Sequence, residues 1–430
     1  MKRFDLLLAA TALPAAAACA GSPVMRAAER GDRAALAGEL AAREKRGEVS
    51  NADAASLARA VADREVRAAT GTDAVGRVRD VRPCAHELDD ALAARMKTHD
   101  AAGAEAALAR IEARGLDADD ARRWLCDADP AWRAVGVRGL VRTQDGDARR
   151  KALVDPDPAV RREAVRAAAE AHDAGDLRAL SEAARLDPEP IVRTEAVRAI
   201  AALPATPGGA TADLLRDLWI SADDGLREDI ALAWASPGVW GTGGREALRV
   251  RVAADHGPGA VEAAAAVLRH RDAAGELADE AVGQLVRAIG EGARETRLQA
   301  IAEAPLDRPA VLAAVRTASA EEDTRVRVAA LARLAETKDG EAVAALEALA
   351  QPGSPVAANA RFALAGDGDG RVQAWIEQDL GAPHAGARLA AATALGLLGV
   401  EGRAAPLLAD ADPRVRLEAA CTILVAARAR

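Results

Sequence analysis

The sequence predicts an all-α fold, a right-handed α-solenoid of stacked helix–turn–helix repeats, and three observations lead to this prediction. Alanine, the best helix former, fills about a quarter of the 430 residues. Aromatic residues make up only 2% of the chain, and runs of β-branched residues at strand length are scarce. Short strings also recur at a near-constant spacing, which is typical of solenoids. A large β-sheet protein is therefore excluded.

The repeats are visible as near copies of one string. Residues 155–165 read DPDPAVRREAV and residues 187–197 read DPEPIVRTEAV, and a third copy occupies 412–420. Taking the residue before the arginine as a register mark, successive marks lie 28 to 35 residues apart. Two of the marks, at 261 and 356, lack the arginine. The ten marks are Trp132, Val160, Val192, Leu226, Val261, Thr296, Val326, Val356, Ala387 and Val415.

Each repeat is predicted to hold two helices. Asp-Pro starts a turn, because proline disfavours helical geometry in the residue before it and suits the first helical turn itself. Apolar residues then recur at helical spacing, as at Val160, Ala164 and Ala168. Glycine-containing stops such as 338–340 precede a second apolar stretch such as 342–349. Helices this short are stable only when they are stacked on their neighbours.

The pattern D-P-x-V-R-x-x-A-x-x-A-L, followed by G-D and an apolar helix, resembles the HEAT repeat. The closest form is the short variety of phycobilisome-lyase-type proteins, and the resemblance covers about ten repeats in residues 127–430. It implies a structural ladder, in which an acidic residue six positions before each arginine links neighbouring repeats. The implied members are Asp127/Arg133, Asp155/Arg161, Asp187/Arg193, Glu291/Arg297, Glu321/Arg327 and Asp410/Arg416.

Residues 25–126 carry helical periodicity but do not share the repeat register. They are predicted to form an N-terminal helical cap, which a solenoid needs to cover its open end. The string Arg64-Glu65-Val66-Arg67-Ala68-Ala69 has the form of one decayed repeat.

The first residues have the pattern of an export signal. Lys2 and Arg3 precede the apolar stretch 6–13, and small residues then lead to Cys19. This arrangement resembles the lipobox of bacterial lipoproteins. The resemblance implies that residues 1–18 are removed, that Cys19 is lipidated, and that 19–24 form an anchored linker. It also implies the periplasmic face of the outer membrane, because Ala20 and Gly21 lack the acidic retention signal. The alternative is an ordinary signal peptide with Cys19 incidental.

The other cysteines allow a disulfide. An exported protein meets an oxidising compartment, so we expect Cys84 and Cys126 to pair and staple the cap, with two free thiols as the alternative. Cys421 lies in an apolar helix and is expected to be a small core residue. His86 and His99 complete a possible zinc set with Cys84 and Cys126, but its spacing matches none of the familiar motifs.

No catalytic residue, metal or cofactor is predicted. The sequence lacks G-x-S-x-G, Walker, dinucleotide-binding and H-E-x-x-H motifs. The net charge of −9 with interleaved signs excludes the basic stripe of a nucleic-acid binder. Residues 366–370 (GDGDG) read as a turn between helices rather than a calcium loop. Trp219, Trp234 and Trp240 are either core residues that fill space left by alanines or an exposed aromatic binding spot.

The sequence favours a protein-binding scaffold without catalytic activity. Stacked helix pairs create an extended curved surface rather than an enclosed pocket. In HEAT proteins the helix that starts at the register mark lines the concave side, so its remaining face is expected to bind an unknown protein partner. That face includes Arg162, Arg166, Thr194, Arg198 and Arg333. The alternatives are an enzyme of the chromophore lyase or isomerase type and a purely structural envelope lipoprotein.

We predict that Cys19 is the acylated N-terminus of the mature protein. Expression in a host that processes lipoproteins, followed by intact-mass and N-terminal peptide analysis, should show a diacylglyceryl-modified Cys19. An unmodified chain that begins at another residue would contradict this prediction.

Overall fold

Asp-Pro turns start the helices of the repeats by the same local chemistry in several places. In the computed structural model the Asp157 side chain accepts a hydrogen bond from the Ala159 backbone N–H, and Pro158 occupies the first helical turn. Asp129 and Asp412 cap their helices in the same way. An Asp cap followed by proline satisfies a free N–H and fixes the entry angle of the helix. The structure describes residues 22–429 except 48, 116–119, 121, 143–144, 205–208, 255–257 and 271–274.

All regular elements in these described residues are helices, as the sequence predicts. The N-terminal region contains α1 Pro23–Arg30, α2 Arg33–Lys45, α3 Asn51–Ala68, α4 Ala74–Asp80, the 3-10 helix Arg82–Leu88, α5 Asp89–Met96 and α6 Ala101–Arg114. The repeats follow as α7 Pro130–Gly139, α8 Gly146–Ala152, α9 Pro158–Ala171, α10 Leu177–Leu186, α11 Pro190–Ala202, α12 Ala210–Ser221, α13 Asp224–Trp234, α14 Arg245–Ala254, α15 Pro258–Arg269, α16 Glu276–Glu291, α17 Arg294–Glu303, α18 Pro309–Ala318, α19 Thr324–Ala335, α20 Gly340–Leu349, α21 Ala357–Gly366, α22 Gln373–Asp379, α23 Ala385–Leu397, the 3-10 helix Glu401–Ala409 and α24 Pro413–Arg428.

The helices of the repeats form an inner and an outer layer. The odd-numbered helices from α7 to α23, and then α24, each pack against the next along the series. The even-numbered helices from α8 to α22 precede them in their repeats and pack less regularly on one another. In a curved stack the more closely packed layer lies inside the curve, so the helices that start at the register marks are the inner ones. We call the side of the array that carries the Asp-Pro turns the turn edge.

The core is one continuous apolar layer that runs from Val24 to Leu424. A second, smaller cluster joins α6 to α7 around Trp124 and Trp132. Trp219, Trp234 and Trp240 are buried, which favours the core interpretation of these residues. Large indole rings thus fill volume that neighbouring alanines leave open.

The N-terminal helices contact both ends of the repeat array. On one side α6 packs on α7, the first repeat helix, and on the other side α3 packs on α24, the last helix. The Asn51 side chain donates to the Gly399 carbonyl at 3.1 Å and accepts from the Gly402 N–H at 2.8 Å. The Arg33 guanidinium donates to the Ala411 carbonyl at 3.0 Å. The region expected to cap one end therefore joins the two ends, and the solenoid closes into a ring.

A disulfide crosses this joint, and it corrects the expected pairing. Cys84, in the 3-10 helix, is bonded to Cys421 in α24, with their Cα atoms 5.3 Å apart and 337 residues between them in sequence. Cys126, the partner expected from the sequence, is exposed and free. Since Cys84 and Cys421 are both buried, the bond lies inside the joint rather than on its surface.

Two features bear on the export signal. Residues 1–21, with Cys19 among them, lie outside the described residues. Among the helices of the described part of the chain, none combines the length and apolarity needed to cross a membrane.

We predict that the Cys84–Cys421 bond contributes strongly to stability, because it closes a very long loop in the unfolded chain. The double change Cys84→Ser/Cys421→Ser should lower the free energy of unfolding by about 2–5 kcal/mol in urea titrations. Cys126→Ser is the matched control and should stay within about 0.5 kcal/mol of the wild type. Peptide mapping that finds Cys84 linked to Cys126 would refute the closed joint.

Candidate functional site

The inner face of the ring is the candidate site, because the residues expected to bind a partner lie on the inner helices. Two rows of side chains organise this layer. One row lies at the turn edge and joins each repeat to the next. The other row lies further along the inner helices and faces the opening of the ring.

The turn-edge row is a ladder of arginines, each of which contacts two repeats. The Arg161 guanidinium donates to both carboxylate oxygens of Asp187 in the next repeat, at 2.7 and 2.9 Å. It also donates to the backbone carbonyl of Asp155 in its own repeat, at 3.0 Å. Arg133 binds the Asp155 carboxylate in the same two-pronged way. Such bidentate pairs are among the strongest hydrogen bonds in proteins.

The ladder also shifts the acidity of its carboxylates. Burial alone would raise the pKa of Asp187, but hydrogen bonds from Arg161 and from the Glu189 N–H hold that pKa below its usual value. The pKa of Asp155 is lowered by the same balance, with Arg133 as the donor. A lowered pKa in the folded state means that these pairs stabilise the ring at neutral pH. That contribution is lost as the pH falls through the lowered pKa.

Other members of the ladder follow the same plan with local differences. Arg193 binds the Asp187 carbonyl and lies 3.7 Å from the Asp223 carboxylate. Arg297 lies 2.8 Å from Glu321, and Arg327 donates to the Glu321 carbonyl. Glu291 is exposed at the end of α16, and Asp127 accepts from the Asp129 N–H and lies 3.3 Å from a ring nitrogen of His99.

The ladder also contains Arg361, Asp379 and Arg388, which the sequence did not single out. Arg388 binds Asp410, and Arg361 binds Asp379, each through its guanidinium. Arg361 shows that the register mark of its repeat is Ala360, and not Val356. The last arginine, Arg416, has no following repeat and donates instead to Glu65 of α3, at 2.7 and 3.0 Å.

The second row consists of ion pairs between neighbouring inner helices. Arg166 binds Glu195 at 3.2 Å, and Arg198 binds Asp229 at 2.5 Å. Arg138 lies 3.9 Å from Glu163, whose pKa is raised because its burial outweighs the nearby arginines. We call this row the charged arc. It continues into the N-terminal helices through Arg82, which binds Glu105 and Glu112.

The charged arc changes the role expected for the predicted partner-binding residues. Arg162 binds Glu195 at 2.7 Å, so Arg162, Arg166 and Arg198 are all engaged within the ring. Arg333 binds Glu336 and the Ala304 carbonyl, and Thr194 is half-buried on α11. These arginines join helices together within the ring, although Arg198 remains 63% exposed.

The other half of the inner face, from α19 to α24, exposes large apolar side chains beside charged residues such as Arg325, Glu336 and Glu418. A cavity of about 680 Å³ opens between α19 and α21, lined by Leu298, Val328, Ala332 and Phe362. A second, of about 660 Å³, lies between α23 and α24 beside Leu397 and Cys421. Phe362 is 41% exposed and Leu397 is 51% exposed, which is unusual for large apolar side chains. We call this half the apolar arc.

Comparison with known proteins agrees with this architecture. A family model described as HEAT repeats matches residues 118–201 and 146–235. The chain carries HEAT repeats. No curated protein matches the sequence. Among solved structures, the crystal structure of an engineered protein is 19% identical, with a TM-score of 0.30, and the match covers 73% of this chain and 99% of the engineered one.

A third cavity lies where the HEAT array meets the N-terminal helices. It has a volume of about 1180 Å³ and is lined by ionisable side chains from α3, α5 and α24. Arg59, His86 and Asp90 are among them, together with the ion pair Arg67–Asp63. In the described part of the chain, no three histidine, cysteine or carboxylate side chains are grouped closely enough to hold a metal ion.

We predict that both rows of arginines are structural. Arg161→Ala should lower the free energy of unfolding by about 1–3 kcal/mol, because the buried Asp187 carboxylate loses its partner. Arg166→Glu should also lower the melting temperature, because it places like charges beside Glu163 and Glu195.

Arg178→Ala is the control, since Arg178 is 92% exposed and pairs only within its own helix. The melting temperature of this variant should equal that of the wild type. If Arg166→Glu melts at the wild-type temperature, then the charged arc does not hold the inner helices together.

Proposed function

We propose that the protein is a lipid-anchored scaffold on the periplasmic face of the bacterial outer membrane, and that its ring binds a partner protein through the apolar arc. HEAT repeats generally mediate protein–protein interaction, which supports the scaffold class. The export signal and lipobox-like sequence ending at Cys19 support the location. The buried Cys84–Cys421 disulfide also supports an oxidising compartment outside the cytosol.

The exposed apolar arc is the observation that carries the binding proposal. The charged arc satisfies its own ion pairs, so it offers little binding energy to a partner. By contrast, Phe362 and Leu397 expose apolar surface that water solvates unfavourably. Small residues beside them, Ala332, Ala363 and Gly366, make the α19–α21 groove shallow and open. An amphipathic helix with its apolar face toward the groove is the kind of segment that fits.

We call the third cavity, between the HEAT array and the N-terminal helices, the junction cavity. It favours a second candidate, an enzyme of the lyase or isomerase type. Enzyme sites bring ionisable groups together in a concave pocket, and Arg59, His86 and Asp90 share one here. Most of the other charged groups around it are held in ion pairs, such as Arg114–Asp89 and Arg428–Glu87. We therefore place the scaffold first and retain the enzyme as the alternative.

We predict that a photo-crosslinking amino acid at position 362 captures one partner protein in intact envelopes. The same probe at position 178 serves as the control, because that outer-helix site is far more exposed but lies off the inner face. Phe362→Asp should reduce recovery of the same partner at least tenfold. It should not change the melting temperature, because the Phe362 side chain is already 41% exposed to water.

Capture from position 178 alone, or undiminished recovery with Phe362→Asp, would refute binding at the apolar arc. Loss of recovery with Arg59→Ala and His86→Ala instead would favour the junction cavity. If no position captures a protein, then the purely structural alternative is favoured.

A further inference from the structure

Three consecutive repeats expose large aliphatic side chains at the turn edge. Val154, Leu186 and Ile220 are 77%, 73% and 76% exposed, and Ile191 is 46% exposed. Val154 and Leu186 directly precede the ladder residues Asp155 and Asp187, and Ile220 lies in the last turn of α12. The other large apolar residues with marked exposure in the described ranges, Leu232, Phe362 and Leu397, lie on inner helices. The four residues therefore form a separate row, which we call the aliphatic row.

The spacing and shape of the row set it apart from a protein-binding groove. Neighbouring helices pack about 8–10 Å apart, so the row spans roughly 16–20 Å across three repeats. Its side chains project singly between polar turns and form no concave pocket. Four side chains are few beside the roughly 20–30 residues that each partner contributes to a stable protein interface. The row also contains none of the aromatic anchors that dominate such interfaces.

The charges beside the row suit a lipid surface. Asp155 and Asp187 are engaged by Arg133 and Arg161 of the ladder, which offsets the carboxylates next to Val154 and Leu186, whereas Glu189 near Ile191 is exposed. Lys151 and Arg185 lie in the last turns of α8 and α10, next to Val154 and Leu186, and both are exposed. Aliphatic side chains flanked by cations insert into the headgroup region of bilayers, where cations meet lipid phosphates.

The predicted anchor ends near the same edge. The turn between α1 and α2 lies at the turn edge, because Arg33 donates to the Ala411 carbonyl in the last Asp-Pro turn. Helix α1 has 8 residues and is therefore about 12 Å long, so Ser22 at its start lies about 12 Å from that edge. Cys19 precedes Ser22 by three residues, a reach of about 10 Å. A lipid on Cys19 would thus hold the turn edge within about 22 Å of the bilayer.

We propose that the turn edge lies on a phospholipid bilayer, with the aliphatic row inserted at the headgroup boundary as a second attachment beside the anchor. The orientation rests on the proposed lipidation of Cys19, whereas insertion of the row does not. Two attachment points at different places on one edge fix the axis of the ring along the membrane normal. The inner face then opens away from the bilayer, toward the periplasm.

The test measures binding without the anchor. Protein carrying Cys19→Ala is sedimented with phosphatidylethanolamine–phosphatidylglycerol vesicles, so that lipidation plays no part. The triple change Val154→Ser/Leu186→Ser/Ile220→Ser should lower the bound fraction at least tenfold. The matched control is Leu232→Ser/Phe362→Ser/Leu397→Ser, which removes three large apolar side chains of the inner face that are 37%, 41% and 51% exposed. It should bind as the parent does, and both triples should melt at the parent temperature.

Several outcomes would overturn the proposal. The proposal fails if the Cys19→Ala protein does not sediment with vesicles. It also fails if the row variant sediments as much as the Cys19→Ala parent, or if the control triple loses as much vesicle binding as the row variant. Loss of a captured envelope protein with the row variant, without any vesicle binding, would assign the row to a protein partner. Failure of lipidation at Cys19 is read separately, from the mass of the mature chain. It would overturn the anchor and leave the vesicle result standing.

Discussion

The whole ring depends on an arginine that binds two repeats at once. Arg161 fixes the turn of its own repeat through the Asp155 carbonyl and reaches the Asp187 carboxylate of the next repeat. The Asp187 carboxylate in turn accepts a hydrogen bond from the Glu189 N–H at the start of α11. One carboxylate therefore binds both the turn before its own inner helix and the arginine of the preceding repeat. This coupling matters because each helix pair is too small to be stable alone. The apolar layer supplies most of the stabilisation, and the ladder sets the spacing at which that layer can pack.

The same interaction explains why the array closes. A ladder in an open solenoid ends with an arginine that has no acceptor, and a buried guanidinium without a partner is costly. Arg416 is that residue, and Glu65 of α3 supplies the missing carboxylate inside the joint. Asn51 and the Cys84–Cys421 bond complete the joint further along. One N-terminal region therefore covers both ends of the array.

The sequence predicted what repeats and missed what occurs once. The register marks predicted the helix pairs, since Asp-Pro turns and apolar spacing act locally. Glu65 and Cys421 could not be assigned in this way, because their partners lie more than 300 residues away in sequence. The charged arc could have been predicted from the sequence. Its acidic residues each lie three residues after a register mark, and each pairs with an arginine of the preceding repeat. The pairs are Arg138–Glu163, Arg166–Glu195 and Arg198–Asp229. The pairing becomes visible in the sequence only when two neighbouring repeats are compared.

Closure also limits what the inner face can bind. If the ten inner repeat helices of the described chain, with α6 and α3 at the joint, are set on a circle at about 9–10 Å spacing, the opening is roughly 25 Å wide. A folded domain is wider than that, whereas an α-helix of about 10–12 Å passes through. An open solenoid could wrap around a whole domain, whereas the partner proposed for this ring would have to enter its opening as a segment. Since the charged arc is occupied by its own pairs, such a segment would lie against Phe362 and Leu397 on the apolar arc. The joint that stabilises the ring thus also selects the shape of its partner.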